Sequence, residues 1–192
     1  MQKNIIWSGI KNTQTENCIV QMNDNLGVKA KGTITGVDAG FIFKIDYSIK
    51  LGGNWQTLGF EIKAQLANTI NYIKFDSDGN GNWTVNNKAL PEFAGCIDID
   101  IALTPFTNSL PVNRLNMQPG QQQLIKVLYI DVVKQELLPV EQMYTCINAT
   151  TYKYQNTTDD FEAIIHVDEN GLVEIYESLF TQVMKQESSY VL

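Results

Sequence analysis

Arginine is nearly missing from this 192-residue chain: a single residue, Arg114, stands beside thirteen lysines. Histidine is single as well, at His166, which excludes a multi-histidine metal centre. A Cys–His nucleophilic pair would have to use Cys96 or Cys146, and neither carries a flanking signature for one. The three cysteines, Cys18, Cys96 and Cys146, are odd in number and never in CxxC spacing, so free and buried thiols are expected. Basic charge is scarce too. With 14 Lys and Arg against 21 Asp and Glu, the net charge of −7 argues against a nucleic-acid partner. No stretch approaches the roughly 18 apolar residues of a membrane-spanning helix. No apolar segment follows Lys3 as it would in an export signal, and a cytoplasmic location is expected. Disorder is excluded by a hydrophobic content of 44%.

What the chain does have is alternation. Phe41, Phe43, Ile45, Tyr47 and Ile49 alternate with more polar positions, as do Phe60, Ile62, Ala64 and Leu66, and then Ile97, Ile99, Ile101 and Leu103. A period of two places one side of each strand in an apolar layer and the other towards water or a polar lumen. Turn chemistry separates the runs at Asn23-Asp24-Asn25, Gly52-Gly53-Asn54, Asp78-Gly79-Asn80-Gly81, Pro119-Gly120 and Glu169-Asn170-Gly171. The expectation is a single domain over 1–192, mainly β, with about eleven or twelve mostly antiparallel strands. Helical spacing occurs once, at Tyr176, Leu179, Phe180, Val183 and Met184, and predicts a short C-terminal helix. The segment from Thr104 to Gly120, punctuated by Pro111, reads as a long ordered connection.

Three patterns invite a chemical reading. Asp76 to Gly81 matches the first half of a calcium loop, but Asn87 stands where a bidentate glutamate is required, so the segment reads as a hairpin turn. His166, between Ile165 and Val167, reads as a hydrogen-bonded structural residue. Asp98 and Asp100 project from one strand face about 7 Å apart. Such carboxylates could serve glycosidic acid–base chemistry or hold a cation. The plainer accounts are a solvated strand face or partners for Arg114. The residues imply no metal and no cofactor.

Gly95-Cys96-Ile97-Asp98-Ile99-Asp100-Ile101, followed by Thr104 to Pro111 and Arg114-Leu115, is more specific than generic β sequence. It resembles the signature of a bacterial family catalogued as putative glycolipid-binding proteins. The resemblance continues through Gln142-Met143-Tyr144-Thr145, Tyr152-Lys153-Tyr154, Phe161, Asp168 to Val173, Tyr176, Leu179 and Phe180. Trp7, Gly32, Tyr47, Trp55 and Gly81-Asn82-Trp83 fall in suitable order before it. Two positions depart from the pattern: Asn113 replaces the first of two adjacent arginines, and Glu177 replaces a proline. The resemblance implies a curved antiparallel sheet or open pseudo-barrel, similar to lipoprotein-localisation proteins that wrap an apolar cavity. Within it, an apolar groove would hold a glycolipid or another amphipathic ligand, with Trp55, Asp98, Asp100, Asn108, Arg114 and Tyr144 as the candidate binding residues. A structural protein with a filled core, pairing as a homodimer, is the alternative. A hydrolase using Asp98 and Asp100, with Cys96, ranks behind both.

Overall fold

The computed structural model describes residues 1–11, 13–23, 27–158 and 160–188. Of the turn expected at Asn23-Asp24-Asn25, Asp24 and Asn25 lie outside the described residues. The first half of the chain runs as β1 (Gln2–Gly9), β2 (Gln14–Asn23), β3 (Gly27–Asp38), β4 (Phe41–Leu51), β5 (Thr57–Leu66), β6 (Thr69–Ser77), β7 (Trp83–Val85) and β8 (Lys88–Ala89). The second half adds β9 (Asp98–Ile101), helix α1 (Ser109–Leu115), β10 (Gln122–Asp131), β11 (Glu136–Asn148), β12 (Thr151–Asn156), β13 (Glu162–Val167), β14 (Val173–Tyr176) and β15 (Phe180–Ser188).

All fifteen strands join one curved sheet that does not close. From one edge it runs from β8 back to β1, then from β15 back to β9. The two ends of the chain therefore pair in the middle of the sheet, β1 against β15. Every pairing is antiparallel except β9 with β10. The segment 90–97 leads from one edge to the other and bridges the gap. The Trp83 indole donates to the Cys96 carbonyl at 2.7 Å, and the Thr57 amide donates to the Ile97 carbonyl at 3.3 Å. Gly81 and Gly95 allow this bridge, because a Cβ on Gly81 would stand 2.8 Å from the Gly95 backbone.

The register sorts the turns into two ends. An upper end gathers the turns after β1, β3, β5, β10, β12 and β14, with the segment leaving β9. A lower end holds the β4–β5 and β6–β7 turns and residues 168–172. Between the ends, the inward residues form two apolar clusters. One is built around Trp7, Ile34, Ile45, Ile62 and Phe106, the other around Tyr144, Tyr154, Ile165 and Val173. Helix α1 is sandwiched between them, giving Leu110 to the first and Val112 to the second. Burying each such side chain stabilises by about 1.5–3 kcal/mol. Asn113, the residue at the departed arginine position, donates from Nδ2 to the Ser109 carbonyl at 2.9 Å and the Gly171 carbonyl at 3.1 Å, docking α1 on the 168–172 turn.

Among the described residues the single α-helix lies elsewhere than the spacing predicts. The stretch from Tyr176 to Met184 forms the end of β14, a turn and the start of β15, and no helix. Ser178 in that turn has φ 65°, which breaks any helical path. Val183 and Met184 are both 62% exposed, so the apparent apolar helix face has no core to meet. Tertiary pairing decides the matter, because β1 needs a partner on its second side and β15 supplies it. Conversely, α1 forms inside the Thr104–Gly120 connection, with Pro111 in its first turn, where a missing N–H costs nothing. It stops at Asn116, whose φ of 44° is left-handed. The strand count exceeds the expected eleven or twelve mainly because β7, β8 and β14 are too short to show a period.

Candidate functional site: a cleft at the upper end of the sheet

The sheet's hollow is filled by core side chains and α1, and an open cleft of about 350 Å³ remains at the upper end. One wall is aromatic. Alternation on β12 brings Tyr154 inwards, β14 contributes Tyr176, and Phe161 and Phe180 begin the next segments. The Tyr154 ring lies 5.4 Å from Tyr144, 6.0 Å from Phe161 and 6.0 Å from Tyr176, at tilted or edge-on angles. Such contacts are worth about 0.5–1.5 kcal/mol each beyond their burial and hold the wall rigid. Leu138, Val140 and Leu179 extend it.

The facing floor is polar and comes from β9 and the segment after it: Asp100, Thr104 and Asn108. Asp100 accepts hydrogen bonds from Gln142 Nε2 at 2.7 Å and Thr107 Oγ1 at 3.3 Å. Burial pushes the Asp100 carboxyl above its ordinary pKa, against those two bonds. Asn108 is held by the Tyr144 phenol, which donates to its Oδ1 at 2.9 Å and so turns the amide nitrogen away from Tyr144. Burial holds the Tyr144 phenol well above its usual pKa, so the donor proton stays in place.

Asp98 and Asp100 share a strand face, yet their roles separate. Asp98 is fully buried and takes a fork from Arg114: Nε to Oδ1 at 2.9 Å and Nη2 to Oδ2 at 2.6 Å. The Arg114 side chain keeps 17% exposure. Burial raises the Asp98 carboxyl, and the guanidinium counteracts it. The solvated-face account of this strand is therefore overturned, and the pairing with Arg114 stands. Of the six candidate residues, Asp100 and Asn108 line the cleft, Tyr144 positions Asn108, and Asp98 with Arg114 forms an ion pair beside Asp100 on the same strand. Trp55 is not brought to them. It sits in the β4–β5 turn at the lower end, partly buried against the first cluster.

The remaining motifs resolve as structure. The Asp78 carboxylate accepts the backbone amides of Asn80 and Asn82, a hairpin-turn role. His166 faces Thr151 at 3.4 Å and Glu177 at 3.5 Å rather than a thiol. All three cysteines are free and buried. Burial pushes Cys96 up to about 11, which leaves it protonated and a poor nucleophile at neutral pH. Among the described residues, no group of three or more His, Cys, Asp or Glu side chains could hold a metal ion. No helix of the structure is long and apolar enough to cross a membrane.

Sequence reasoning also missed residues. Gln142 and Thr107, which orient Asp100, carry no chemical signature of their own. Nor was the buried carboxyl of Glu16 foreseen: on β2 it accepts from Tyr47 and, at 2.8 Å, from Thr104. Its alternation with Gln14 and Cys18 on the inward side of β2 was the available signal.

A family model described as "Putative glycolipid-binding" matches residues 4–182. Among solved structures, a DUF1089-family protein from Pseudomonas aeruginosa superposes with a TM-score of 0.81 at 31% identity, covering 91% of this chain and 96% of its own. No curated protein matches the chain.

Proposed function

The chain belongs to the putative glycolipid-binding family, and on that premise we propose that the upper cleft binds the sugar head group of an amphipathic ligand. One observation carries the reading: an aromatic wall of Tyr154, Phe161 and Tyr176 faces a half-buried carboxyl and an oriented amide across a single cleft. Aromatic faces pack against the C–H surface of a sugar, while Asp100 accepts hydrogen bonds from its hydroxyls and the Asn108 nitrogen donates to hydroxyl oxygens. At about 350 Å³ the cleft is at the small end of ligand pockets, which run about 300–1,000 Å³. That volume suits a head group better than a set of acyl chains, and the filled hollow of the sheet supports the same division. The hydrocarbon part would then extend from the mouth past Leu138 and Leu179. Asp98, Arg114 and Tyr144 take positioning roles in this proposal, and Trp55 takes none. Residues 1–192 act as one binding domain, and the free thiols support a reducing, cytoplasmic setting.

Native mass spectrometry of freshly purified protein, followed by titration with methyl and octyl β-glucosides, tests the proposal. Amide-resolved NMR should show the Asn108 side-chain amide shifting with both glucosides, and more strongly at low octyl glucoside concentration. Absence of a co-purified lipid together with an unmoved Asn108 amide would reject the binding reading in favour of a filled-core structural protein.

A further inference from the structure

A second concavity lies on the opposite face of the sheet and in its lower half, remote from the cleft. It is a groove of about 290 Å³ on the outer side of β3 to β6. The register explains its shape. Across one row, Lys29 on β3 stands opposite Lys50 on β4, which stands opposite Gly59 on β5, which stands opposite Asp76 on β6. Across the next row, Lys31 faces Ser48, Ser48 faces Glu61, and Glu61 faces Lys74. Gly59 has no side chain and Ser48 a short one, so a dip opens between the lysines.

The charge in this groove runs against the rest of the molecule. Four lysines line it with only Glu61 and Asp76, in a chain whose net charge is −7. Glu61 is committed to Lys74 at 2.5 Å. Among the described residues, no salt bridge engages Lys29, Lys31 or Lys50, although Glu61 also lies in the field of Lys50. Like charges directly opposite on neighbouring strands destabilise a sheet, so Lys29 against Lys50 is an unfavourable pair as it stands. Lysines often protect sheet edges from pairing, but β3 to β6 are interior strands with partners on both sides. An edge role is therefore unavailable. A compact anion placed over Ser48 and Gly59 would convert the repulsion among Lys29, Lys31 and Lys50 into attraction.

The geometry points to an anion-binding site in this groove, taking a phosphate-bearing group held by Lys29, Lys31, Lys50 and Lys74. Lysine suits this as a point charge that needs no fixed fork. The volume admits one compact group, and the acidic remainder of the surface disfavours an extended polyanion. A soluble phosphate ester and an anionic lipid head group share this chemistry.

Inorganic pyrophosphate serves as the first probe, at low ionic strength against sodium chloride of matched ionic strength. Pyrophosphate should raise the thermal midpoint of the wild-type protein beyond the chloride control. The double variant Lys29→Gln/Lys50→Gln should weaken pyrophosphate binding at least tenfold, while its own midpoint without anion stays at or above wild type. Flotation with phosphatidylglycerol–phosphatidylcholine vesicles separates the sources. Capture by these vesicles, lost in the double variant and missing with pure phosphatidylcholine, assigns a lipid phosphate; pyrophosphate binding without capture assigns a soluble one. Equal responses to pyrophosphate and chloride, or an undiminished response in the double variant, would overturn the site. The double variant leaves the upper cleft untouched, so octyl glucoside binding there is read independently of this outcome.

Discussion

The Tyr47 hydroxyl on β4 reaches across β3 to donate a hydrogen bond to the buried Glu16 carboxyl on β2. Gly32 makes this possible: it stands opposite Tyr47 on β4 and Cys18 on β2, and a Cβ there would stand 2.2 Å from the Tyr47 ring. The Cys18 sulfur lies 3.2 Å from the same hydroxyl. The other carboxyl oxygen, Glu16 Oε2, is buried with no hydrogen-bond partner among the described residues. Thr104 ties this group to the floor of the cleft, since its hydroxyl donates to Glu16 while accepting the Phe106 amide at 3.0 Å.

Glu16 should make stability fall with rising pH. Burial lifts its carboxyl from 4.5 to about 7, with Tyr47 and Thr104 opposing. A raised carboxyl contributes fully below the unfolded value and loses that contribution as pH rises to the folded value. The loss falls between about pH 4.5 and 7 and is on the order of 3 kcal/mol, at 1.36 kcal/mol per pKa unit. Glu16→Gln keeps the shape without the charge. The difference in unfolding free energy, variant minus wild type, should therefore rise across that window. A flat difference from pH 4.5 to 8 in denaturant titrations would show that Glu16 does not titrate there.

Gly32→Ala tests the cross-strand reach directly. The added methyl must displace the Tyr47 ring, an overpacking that costs about 1–3 kcal/mol. Combining it with Tyr47→Phe should give less than the sum of the two effects, since both disturb one contact. Strict additivity in a double-mutant cycle would place the strain elsewhere.

Arg114→Ala strips a fully buried Asp98 of its fork and should destabilise by about 3–5 kcal/mol. Arg114→Lys keeps the charge but loses the two parallel bonds, and its thermal midpoint should fall between alanine and wild type. A lysine variant as stable as wild type would mean that charge alone suffices. Asp98→Asn in the Arg114→Ala background should recover stability, because no unpaired charge then remains.

In the cleft, Asn108→Ala removes the proposed donor and Tyr144→Phe releases its orientation. Both should weaken octyl glucoside binding, the first by about tenfold, near one hydrogen bond's 1.4 kcal/mol. Asp100→Asn should weaken it too by trading an acceptor for a donor. Calorimetric titration provides the comparison, with Trp55→Phe as the control that should leave affinity unchanged.

Much of the framework was legible from local pattern. Alternation in Phe43 to Ile49 and in Phe60 to Ala64 matches buried faces because a strand's period of two is a local property. Arg114 and the Asp98–Asp100 strand were also visible as partners, since a chain with one guanidinium leaves few ways to neutralise buried carboxylates. What tertiary structure alone decided depends on neighbours distant in sequence. The stretch from Tyr176 to Met184 carries helical spacing but becomes sheet, because β1 offers an open row of backbone groups 170 or so residues away. Asp98 and Asp100 look solvated from spacing, but Arg114 of α1 pairs with Asp98, and Gln142 of β11 reaches Asp100 from 42 residues on. Trp55 resembles a ligand contact in composition, yet strand direction puts it at the end opposite the cleft. The sequence by itself determined which residues could enter a strand, a core or an ion pair, because those preferences are written in each side chain's chemistry. Which of them face one another, and therefore where a cleft opens, followed only from the pairing of fifteen strands, because contact across a sheet depends on register and direction rather than on any residue alone.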